Sequence, residues 1–339
     1  MSTTERTIGV AALGAGRMGQ THLRTLATLR DVRVVVVADP DPEAAERGRL
    51  IARAGRATTD PLDAIHDPAV DTVVIVTPTS THAAYLEAAV GAGKAAFSEK
   101  PIALDLAETA RVVDAIRRSG RPVQLGFMRR YDPGYLAAKE RIDRGELGRI
   151  EVFRALSRDT FPPPVEFLRT SGGLFLDMAV HDLDLARFLV GEVEEVSAWG
   201  ANLIDDRFDQ AGDIDTAVTL LRFRNGALGT IETARHSTWG YDIRTEVAGA
   251  QAKVVVEAGS RTPIRVSGDW HSESDVFVNF PDRFADAFRR ELEAFFEALV
   301  AGTTPTPGPE DALETLRLAI AVTRSWREGR PIRVADVTA

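Results

Sequence analysis

The sequence predicts an α/β protein in two parts: an N-terminal doubly wound parallel sheet, and a C-terminal α+β part with an open, mainly antiparallel sheet. In the first third, short continuous apolar runs alternate with helical patterns, which is typical of parallel strands covered by helices on both faces. After about residue 149, strand-like runs follow one another directly, and Asn225-Gly226 between two of them is a strong hairpin signal. We therefore expect two domains, at 1–125 and 126–339.

The individual elements follow from the same patterns. Continuous apolar runs predict the strands of the first part, and apolar residues at helical spacing predict its helices. The predicted strands are 7–13, 32–38, 72–77, 95–97 and 122–126, and the helices are 18–29, 43–54, 82–91 and 106–119. In the second part, we expect strands at 150–157, 193–202, 216–223, 227–234, 244–248 and 254–257, and helices at 174–189, 283–298 and 311–327.

Composition excludes several classes of protein. Hydrophobic residues make up 44% and charged residues 27% of the 339 residues, so the chain is neither disordered nor fibrous. The formal net charge of −9 argues against a nucleic-acid partner and against binding to an anionic membrane surface. The absence of cysteine excludes disulfides, thiolate metal sites and a cysteine nucleophile.

Membrane and export signals are not expected. No long apolar run precedes the first predicted strand, in a segment that carries Glu5 and Arg6, so we predict no signal peptide. The longest stretch without a charged residue, 72–86, is too short and too polar to span a bilayer. We expect a cytoplasmic protein.

A glycine-rich turn follows the first predicted strand. Residues 14–19 read Gly-Ala-Gly-Arg-Met-Gly and fit the pattern G-x-G-x-x-G. Gly14 allows a tight turn, Gly16 lets the backbone approach a pyrophosphate, and Gly19 lets the helix pack closely. The N-terminus of that helix then faces the phosphates with its N–H groups. A turn that merely needs glycines is the alternative, but the strand before it and the helix after it favour a dinucleotide site.

An acidic residue at the end of the second strand completes this pattern. Asp39 can accept hydrogen bonds from the two adenine-ribose hydroxyls, and its charge would repel a 2′-phosphate. NAD is therefore favoured over NADP, although Arg17 or Arg47 could reach a phosphate.

Two further loops stand at the carboxyl ends of predicted parallel strands, where open α/β sheets bind ligands. They are Thr77-Pro78-Thr79 and Glu99-Lys100-Pro101, and we place both on the cofactor side. Lys100 lies between an acid and a rigid proline at the end of a buried strand. A Glu99–Lys100 surface pair is the alternative interpretation.

A second constellation lies on the predicted helix 174–189. Asp177, His181 and Asp184 are spaced i, i+4 and i+7, which predicts one shared helix face. A carboxylate one turn from a histidine can orient the imidazole, which can then accept a hydroxyl proton as a general base. A solvated surface and a metal site of one histidine and two carboxylates are the alternatives. The remaining histidines have no clear partner, although His82 follows the Thr77 loop and is expected near the cofactor.

Taken together, these motifs resemble the glucose–fructose oxidoreductase/inositol dehydrogenase (Gfo/Idh/MocA) family. The 14–19 turn, Glu99-Lys100-Pro101 and the Gly172…Asp177…His181 segment stand in the family's order and spacing. The stretch 124–135, together with Ser157-Arg158-Asp159 and Trp239-Gly240-Tyr241-Asp242, is similar to inositol 2-dehydrogenases within it. The resemblance implies a Rossmann domain followed by an open-faced sheet, through which the chain would form a homotetramer.

The resemblance also implies roles for matching positions. Lys100 would bind the reacting hydroxyl and the nicotinamide ribose, and Asp177 and His181 would form the proton-accepting dyad. Further substrate-binding residues would be Met128, Arg129, Asp159 and Tyr241. The cofactor-binding set would be Gly14, Gly16, Arg17, Met18, Gly19, Asp39, Thr77, Pro78, His82, Glu99 and Lys100.

The implied reaction is NAD-dependent oxidation of a cyclic polyol, with myo-inositol giving 2-keto-myo-inositol (scyllo-inosose). No metal is required, because Lys100 would stabilise the developing alkoxide. Some inositol dehydrogenases have His-Arg-Asn where this chain has Ser157-Arg158-Asp159, which leaves the stereoisomer open. The alternatives are a dehydrogenase of scyllo-inositol, another cyclitol or an aldose, and a non-catalytic sugar or NAD sensor.

Overall fold

The computed structural model describes residues 7–339, which form two compact units. The first unit runs through Met128 and takes in Asp286–Glu314, and the second consists of Arg129–Ala285 and Thr315–Thr338. The units are therefore not two consecutive lengths of chain. The segment around Glu5 and Arg6, in which no signal peptide is expected, lies outside the described residues.

Strands and helices alternate through residue 126, and their order is less regular after it. The strands are β1 (Ile8–Leu13), β2 (Val32–Ala38), β3 (Arg56–Thr58), β4 (Thr72–Ile75), β5 (Ala95–Glu99), β6 (Val123–Gly126), β7 (Ile150–Arg158), β8 (Val193–Ala201), β9 (Thr216–Phe223), β10 (Leu228–Ala234), β11 (Asp242–Gly249), β12 (Lys253–Glu257), β13 (Val266–Gly268), β14 (His271–Glu273) and β15 (Ile332–Arg333). The helices are α1 (Arg17–Leu26), α2 (Pro42–Ala52), α3 (Pro61–His66), α4 (Thr79–Gly91), α5 (Leu106–Ser119), α6 (Pro133–Asp143), α7 (Val165–Leu168), α8 (Val180–Leu189), α9 (Arg207–Ala211), α10 (Phe280–Arg283), α11 (Ala285–Ala301) and α12 (Pro309–Glu328).

The first unit contains a six-stranded sheet in the order β3-β2-β1-β4-β5-β6. Every neighbouring pair is parallel, and the order reverses direction beside β1, as in doubly wound dinucleotide-binding folds. The predicted parallel sheet is confirmed. The sequence patterns missed β3 and α3, which are short and only partly buried.

Local signals explain why the predicted helices of this unit form where they do. Asp105 caps α5 by accepting the Glu108 N–H at 2.8 Å, and Gly120 ends it in the left-handed conformation. Asp41 caps α2 in the same way, with Pro42 as its first residue. The boundaries therefore follow short-range chemistry that the sequence displays.

Helix α11 contributes to the core of the first unit, although it lies far along the chain. Leu292, Phe295 and Phe296 are buried in the same hydrophobic cluster as Val74 and Phe97 of the parallel sheet. The sequence predicts this helix but not its packing partner, because the apolar stripe of a helix does not specify which sheet it covers.

The second unit contains a seven-stranded sheet in the order β12-β11-β7-β10-β9-β8-β15. Its neighbours are antiparallel except β7 and β10, which are parallel. The predicted mainly antiparallel sheet is confirmed. The β9–β10 hairpin turns at Asn225-Gly226, where Gly226 has a φ of +89°.

The predicted single helix at 174–189 is wrong in its first part. Phe175–Ala179 forms a π-helical turn, and the regular helix α8 begins only at Val180. The wider turn changes the rotation per residue between Asp177 and the residues of α8. Across the described residues, no helix is long and apolar enough to cross a membrane.

Candidate active site

The glycine-rich turn connects β1 to α1. Gly14 has a φ of +94°, and a Cβ there would lie 2.4 Å from the Val76 carbonyl oxygen. A Cβ on Gly19 would lie 2.2 Å from the Gly14 oxygen, so this glycine lets α1 approach the turn. Beside Gly16 there is open space, and α1 begins at Arg17 without a side-chain cap. These features fit the pyrophosphate of a dinucleotide, and Met18 lies in the same first turn.

Asp39 joins the end of β2 to this turn. Its Oδ2 accepts the Ala15 N–H at 2.8 Å, and its Oδ1 accepts the Asp41 N–H at 3.0 Å. Each oxygen has a second lone pair that a ribose hydroxyl can use. Arg47, one of the candidates for binding a 2′-phosphate, instead pairs with Asp41 and Glu43.

His82 connects the two loops at the carboxyl ends of β4 and β5. The ring is buried on α4, with Nε2 2.8 Å from the Thr77 carbonyl oxygen and Nδ1 2.7 Å from the Pro101 carbonyl oxygen. The hydroxyl groups of Thr77 and Thr81 are hydrogen-bonded to each other at 2.7 Å. Pro78 lies between these two residues in the sequence. In the structure, His82 therefore holds the predicted cofactor loops through their backbones.

Glu99 ends β5 and directs its side chain toward α1, and Lys100 follows it. The Glu99 carboxylate lies 2.8 Å from Nε2 of His22, and its side chain is 16% exposed. Burial would raise the pKa of Glu99, but the hydrogen bond from His22 and the nearby cations hold it below its usual value. Glu99 therefore bonds inward to His22, which is not the environment of a free surface acid.

Asp177 lies in the π-helical turn, and His181 lies four residues later in α8. Gly172 and Gly173 precede the turn with positive φ, as the predicted loop requires. The first N–H of this segment, that of Leu174, is bonded to Asp213 at 3.0 Å. π-helical turns are frequent at functional sites, because they turn a side chain out of the regular helical register.

Arg235 is a site residue that the sequence patterns missed. Its guanidinium lies 2.8 Å from Oδ2 of Asp177 and 3.4 Å from Oδ2 of Asp159, while its own side chain is only 4% exposed. Burial alone would lower the pKa of Arg235, but the two carboxylates raise it. Burial and the charge of Asp177 raise the pKa of Asp159, and Arg235 opposes this shift. One buried cation thus holds two partly exposed acids together.

Strand pairing explains this juxtaposition. Arg158 of β7 is paired with Ala234 of β10 in the parallel register, so the next residues, Asp159 and Arg235, leave the sheet side by side. The Asp159 N–H donates to the Ala234 carbonyl oxygen at 3.0 Å. In the sequence, Arg235 is marked only as a charged residue directly after a predicted strand.

Arg129 belongs to a second network, which is closed to solvent. It donates to Oδ1 of Asp182 at 2.7 Å and to the Ser157 hydroxyl at 3.2 Å, and that hydroxyl donates to Oδ2 of Asp182 at 2.6 Å. The charge of Arg129 also acts on the Tyr241 phenol, whose pKa is raised because burial outweighs that charge. Met128, the preceding residue, is buried. Ser157, at which some inositol dehydrogenases are expected to have histidine, is therefore a fully buried residue of this network.

Asp184 is also committed to an internal partner. Arg130 donates to its two carboxylate oxygens at 2.8 and 2.6 Å, and Asp184 is 1% exposed. The expectation that Asp177, His181 and Asp184 share one face is therefore wrong for Asp184. The solvated-surface interpretation is wrong for Asp184 as well.

A cavity of about 420 Å³ opens in the second unit, beside the ends of β7 and β10. This volume is in the range of small-molecule sites. Its lining combines hydroxyl groups, an imidazole and exposed aromatic rings. The lining residues are Thr160, Phe161, His236, Ser237, Thr238, Trp239, Gly240, Val276 and Val278.

Comparison with protein families assigns both parts of the chain. Residues 8–127 match the NAD-binding Rossmann fold of the Gfo/Idh/MocA oxidoreductase family, and residues 139–334 match the family's C-terminal alpha/beta domain. The chain therefore belongs to this family of oxidoreductases, and its cofactor is NAD. The predicted family resemblance is confirmed.

Individual relatives cover nearly the whole chain. It is 37% identical to the scyllo-inositol 2-dehydrogenase (NAD(+)) of Bacillus subtilis, over 97% of each chain. It is 34% identical to the Myo-inositol 2-dehydrogenase of Thermotoga maritima, over 97% of this chain and 99% of the relative. The solved scyllo-inositol dehydrogenase of Lactobacillus casei, with bound NAD(H) and scyllo-inositol, has a TM-score of 0.91 at 30% identity and covers 97% of this chain and 100% of its own.

Proposed function

We propose that this chain oxidises a secondary hydroxyl of a cyclic polyol with NAD, and that its substrate is myo-inositol, giving 2-keto-myo-inositol. The observation that carries the proposal is the carboxylate pair of Asp159 and Asp177 held by Arg235, with His181 four residues after Asp177. The names of the relatives support the substrate class.

The proton and the hydride leave the same carbinol group. His181 accepts the hydroxyl proton as a general base, while Asp177 orients the imidazole and stabilises its cation. NAD⁺, when bound, supplies the hydride acceptor. Arg235 keeps the Asp177 carboxylate in place, because a second carboxylate beside it would otherwise repel its charge. The carbon is oxidised to a ketone, and one proton is released.

Lys100 acts on the oxygen rather than on the carbon. Its ammonium group donates to the hydroxyl oxygen and stabilises the negative charge that develops as the proton leaves. The lysine follows directly on β5, at the carboxyl edge of the parallel sheet where such folds bind ligands. Its backbone position is supported by the contact of His82 with Pro101.

The remaining hydroxyls of the ring are bound by the other expected pocket residues. Asp159, with a side chain 27% exposed, is the accessible acceptor. Tyr241 and Arg129 are both almost fully buried, so they support the pocket more than they present polar atoms to it. Met128, the fourth expected pocket residue, is buried as well.

scyllo-Inositol is the second candidate substrate. It differs from myo-inositol at one carbon only, so oxidation at that carbon gives the same ketone from both. The relative from B. subtilis that carries this activity in its name is 37% identical to the chain. Ser157 does not distinguish the two, because its hydroxyl is used by Asp182.

A spectrophotometric assay tests the proposal. Protein, NAD⁺ and either inositol are mixed, and NADH is followed by absorbance, with NADP⁺ in a parallel series. We expect turnover with NAD⁺ and a higher kcat/KM for myo-inositol. A higher kcat/KM for scyllo-inositol would make scyllo-inositol the assigned substrate, and the proposed reaction would stand. Binding of NAD without turnover of any cyclitol or aldose would instead favour a non-catalytic sensor.

Variants test the assigned roles. Replacing His181 by Ala is expected to lower kcat by roughly 10²- to 10⁴-fold, the usual contribution of a general base. Replacing Lys100 by Met is expected to lower kcat as well, and to weaken NAD binding to the extent that the lysine binds the nicotinamide ribose. His271→Gln is a matched control, since this histidine is exposed on β14 and pairs with Glu273. Near-normal turnover by H181A would contradict the mechanism.

We also propose a cytoplasmic homotetramer assembled through the second sheet. One face of that sheet exposes apolar side chains on adjacent strands, and monomers rarely leave such a patch open. The exposed residues are Trp199, Val218, Leu220, Leu228 and Val255. Light scattering should give four times the chain mass, and Leu220→Arg should reduce it. A monomeric mass for the wild-type protein would overturn this assembly.

A further inference from the structure

Three titratable side chains meet in the interior of the first unit, from three separate elements. His22 lies on α1, Glu99 ends β5, and Glu291 lies on α11. One nitrogen or oxygen from each lies within 4.8 Å of those of the other two. His22 is 1% exposed and Glu291 is 0% exposed. The proposed chemistry of Asp177 and His181 uses none of these three side chains.

The surroundings of this cluster are apolar. The His22 ring packs against Phe97 at 5.4 Å between centroids and edge-on against Phe288 at 5.8 Å. Within the described part of the chain, neither carboxylate oxygen of Glu291 has a hydrogen-bond partner. Only the backbone oxygen of Glu291 is engaged, by the Gln124 side-chain amide at 2.9 Å.

Charge balance limits the states of this cluster. With His22 protonated and both acids ionised, the cluster would carry one net negative charge in an apolar interior. Burying an isolated carboxylate costs far more free energy than burying the neutral carboxylic acid. A buried acid without a cation beside it therefore binds a proton. Glu99 is hydrogen-bonded to His22, whereas neither carboxylate oxygen of Glu291 has a partner in the described structure.

We propose that Glu291 is a carboxylic acid that retains its proton at neutral pH, and that it acts as a positioning residue for Lys100. The neutral acid lets Glu99 remain ionised and bonded to His22, which fixes the chain immediately before Lys100. An ionised Glu291 would repel Glu99 and weaken that contact. Only the consequence for Lys100 rests on the proposed function; the protonation state does not.

The pKa shifts agree in direction with this arrangement. Burial, followed by the charge of Glu99, raises the pKa of Glu291 well above its usual value. The pKa of Glu99 is lowered, because the His22 hydrogen bond, with the charges of Lys100 and His82, outweighs its burial. The groups that face the cluster are therefore Lys100 and His82, which act on Glu99, and the neutral amide of Gln124.

A divalent cation is the competing occupant, because one imidazole and two carboxylates can bind such ions. Three donors are fewer than the four of a closed structural zinc site, and the contact of His22 with Glu99 at 2.8 Å already uses two of them. The proton neutralises the cluster without a fourth ligand, and we favour it for that reason.

Infrared spectroscopy of the wild-type protein in D₂O is the direct test. A protonated carboxylic acid has a carbonyl stretching band that is separate from those of carboxylates. We expect this band at neutral pH and expect Glu291→Gln to remove it. Glu293→Gln is the matched control, because Glu293 is on the same helix but exposed and paired with Arg289. Absence of the band in the wild type, or a stoichiometric metal found by plasma mass spectrometry, would overturn the proposal.

The dependence of stability and activity on pH tests the positioning role. A raised pKa in the fold contributes stability that is complete below the pKa of the unfolded chain and is lost as pH rises through the folded pKa. The urea midpoint of the wild type should therefore fall toward alkaline pH more steeply than that of E291Q, with E293Q following the wild type. The alkaline limb of kcat should move to higher pH in E291Q. An unchanged limb would reject the positioning role, and absence of turnover in the wild type would instead reject the proposed function.

Discussion

Two arginine–carboxylate networks lie in the second unit, and they differ in how far water reaches them. In the closed network, Arg129 and Asp182 have side chains 3% and 0% exposed, and the Ser157 hydroxyl completes the bonding. In the open network, Arg235 is equally buried, but Asp159 and Asp177 are 27% and 21% exposed. In both networks, a buried guanidinium pairs with carboxylates.

The difference indicates which network supports the fold and which supports the chemistry. Every oxygen of Asp182 is engaged by protein donors, so this acid has little capacity for a ligand. In the open network, Asp159 and Asp177 are partly exposed to solvent, whereas Arg235 is buried. A buried cation behind exposed acids orients them and leaves lone pairs for substrate hydroxyls.

The largest expected effect is the loss of charge from the closed network. Asp182→Asn leaves the Arg129 cation buried without a counter-charge, and we expect a loss of about 3–5 kcal/mol in the free energy of unfolding. Urea denaturation measures it. Asp177→Asn is the matched substitution in the open network, and we expect less than about 1 kcal/mol there, because water reaches that carboxylate. Equal losses would remove the distinction between the networks.

Removal of the open network's cation should affect activity more than stability. We expect Arg235→Met to lower kcat/KM by roughly 10²-fold, since the dyad loses its orientation. The acidic limb of the pH profile should move to higher pH, because the pKa of Asp159, already raised by burial, loses the opposing charge of Arg235. Arg235→Lys should restore part of the rate. A variant R235M with an unchanged pH profile would show that Arg235 only fills space.

Alkaline pH should destabilise the second unit through Tyr135, which is fully buried and bonds to Thr245 at 2.8 Å. Burial raises the pKa of Tyr135 to about 12 from a usual value of 10.0. The raised pKa means that stability is complete below about pH 10 and declines as pH rises through about 12, by about 2–3 kcal/mol in total. Chemical denaturation across this range should show a smaller decline in Tyr135→Phe, with Tyr85→Phe matching the wild type.

The smallest effect is expected for an exposed ion pair on helix α6 of the second unit. Arg144 pairs with Glu140 one helical turn before it, and their side chains are 50% and 67% exposed. Glu140→Gln should cost less than about 1 kcal/mol and leave kcat/KM unchanged, because exposed pairs contribute little. Thermal unfolding and the NADH assay measure both. A larger loss would mean that exposure is a poor guide to the role of these networks.

Much of the architecture was predictable because its causes are local. The apolar runs of the parallel strands and the Asp105 and Gly120 caps of α5 are visible in a few consecutive residues. The glycine-rich turn and Asp39 were predictable for the same reason. Lys100, Asp177 and His181 were singled out by motif spacing, and their assigned roles stay predictions.

The rest depended on contacts between distant parts of the chain. Arg235 meets Asp159 across 76 residues because β7 and β10 run parallel, and no turn signal announces a parallel pair. The π-helical turn at Asp177 interrupts a pattern that is regular in sequence. Glu291 reaches the cluster of Glu99 only because α11 joins the first unit.

The sequence by itself determined the parallel sheet, the nucleotide-binding turn and the acids and bases available for chemistry, because local periodicity and short motifs encode them. Only the tertiary structure decided which cation holds which carboxylate and how far water reaches each. These are long-range properties: a charge's partner and its burial are set by strand order and packing, and they separate Asp182, a closed core acid, from Asp177, an open one.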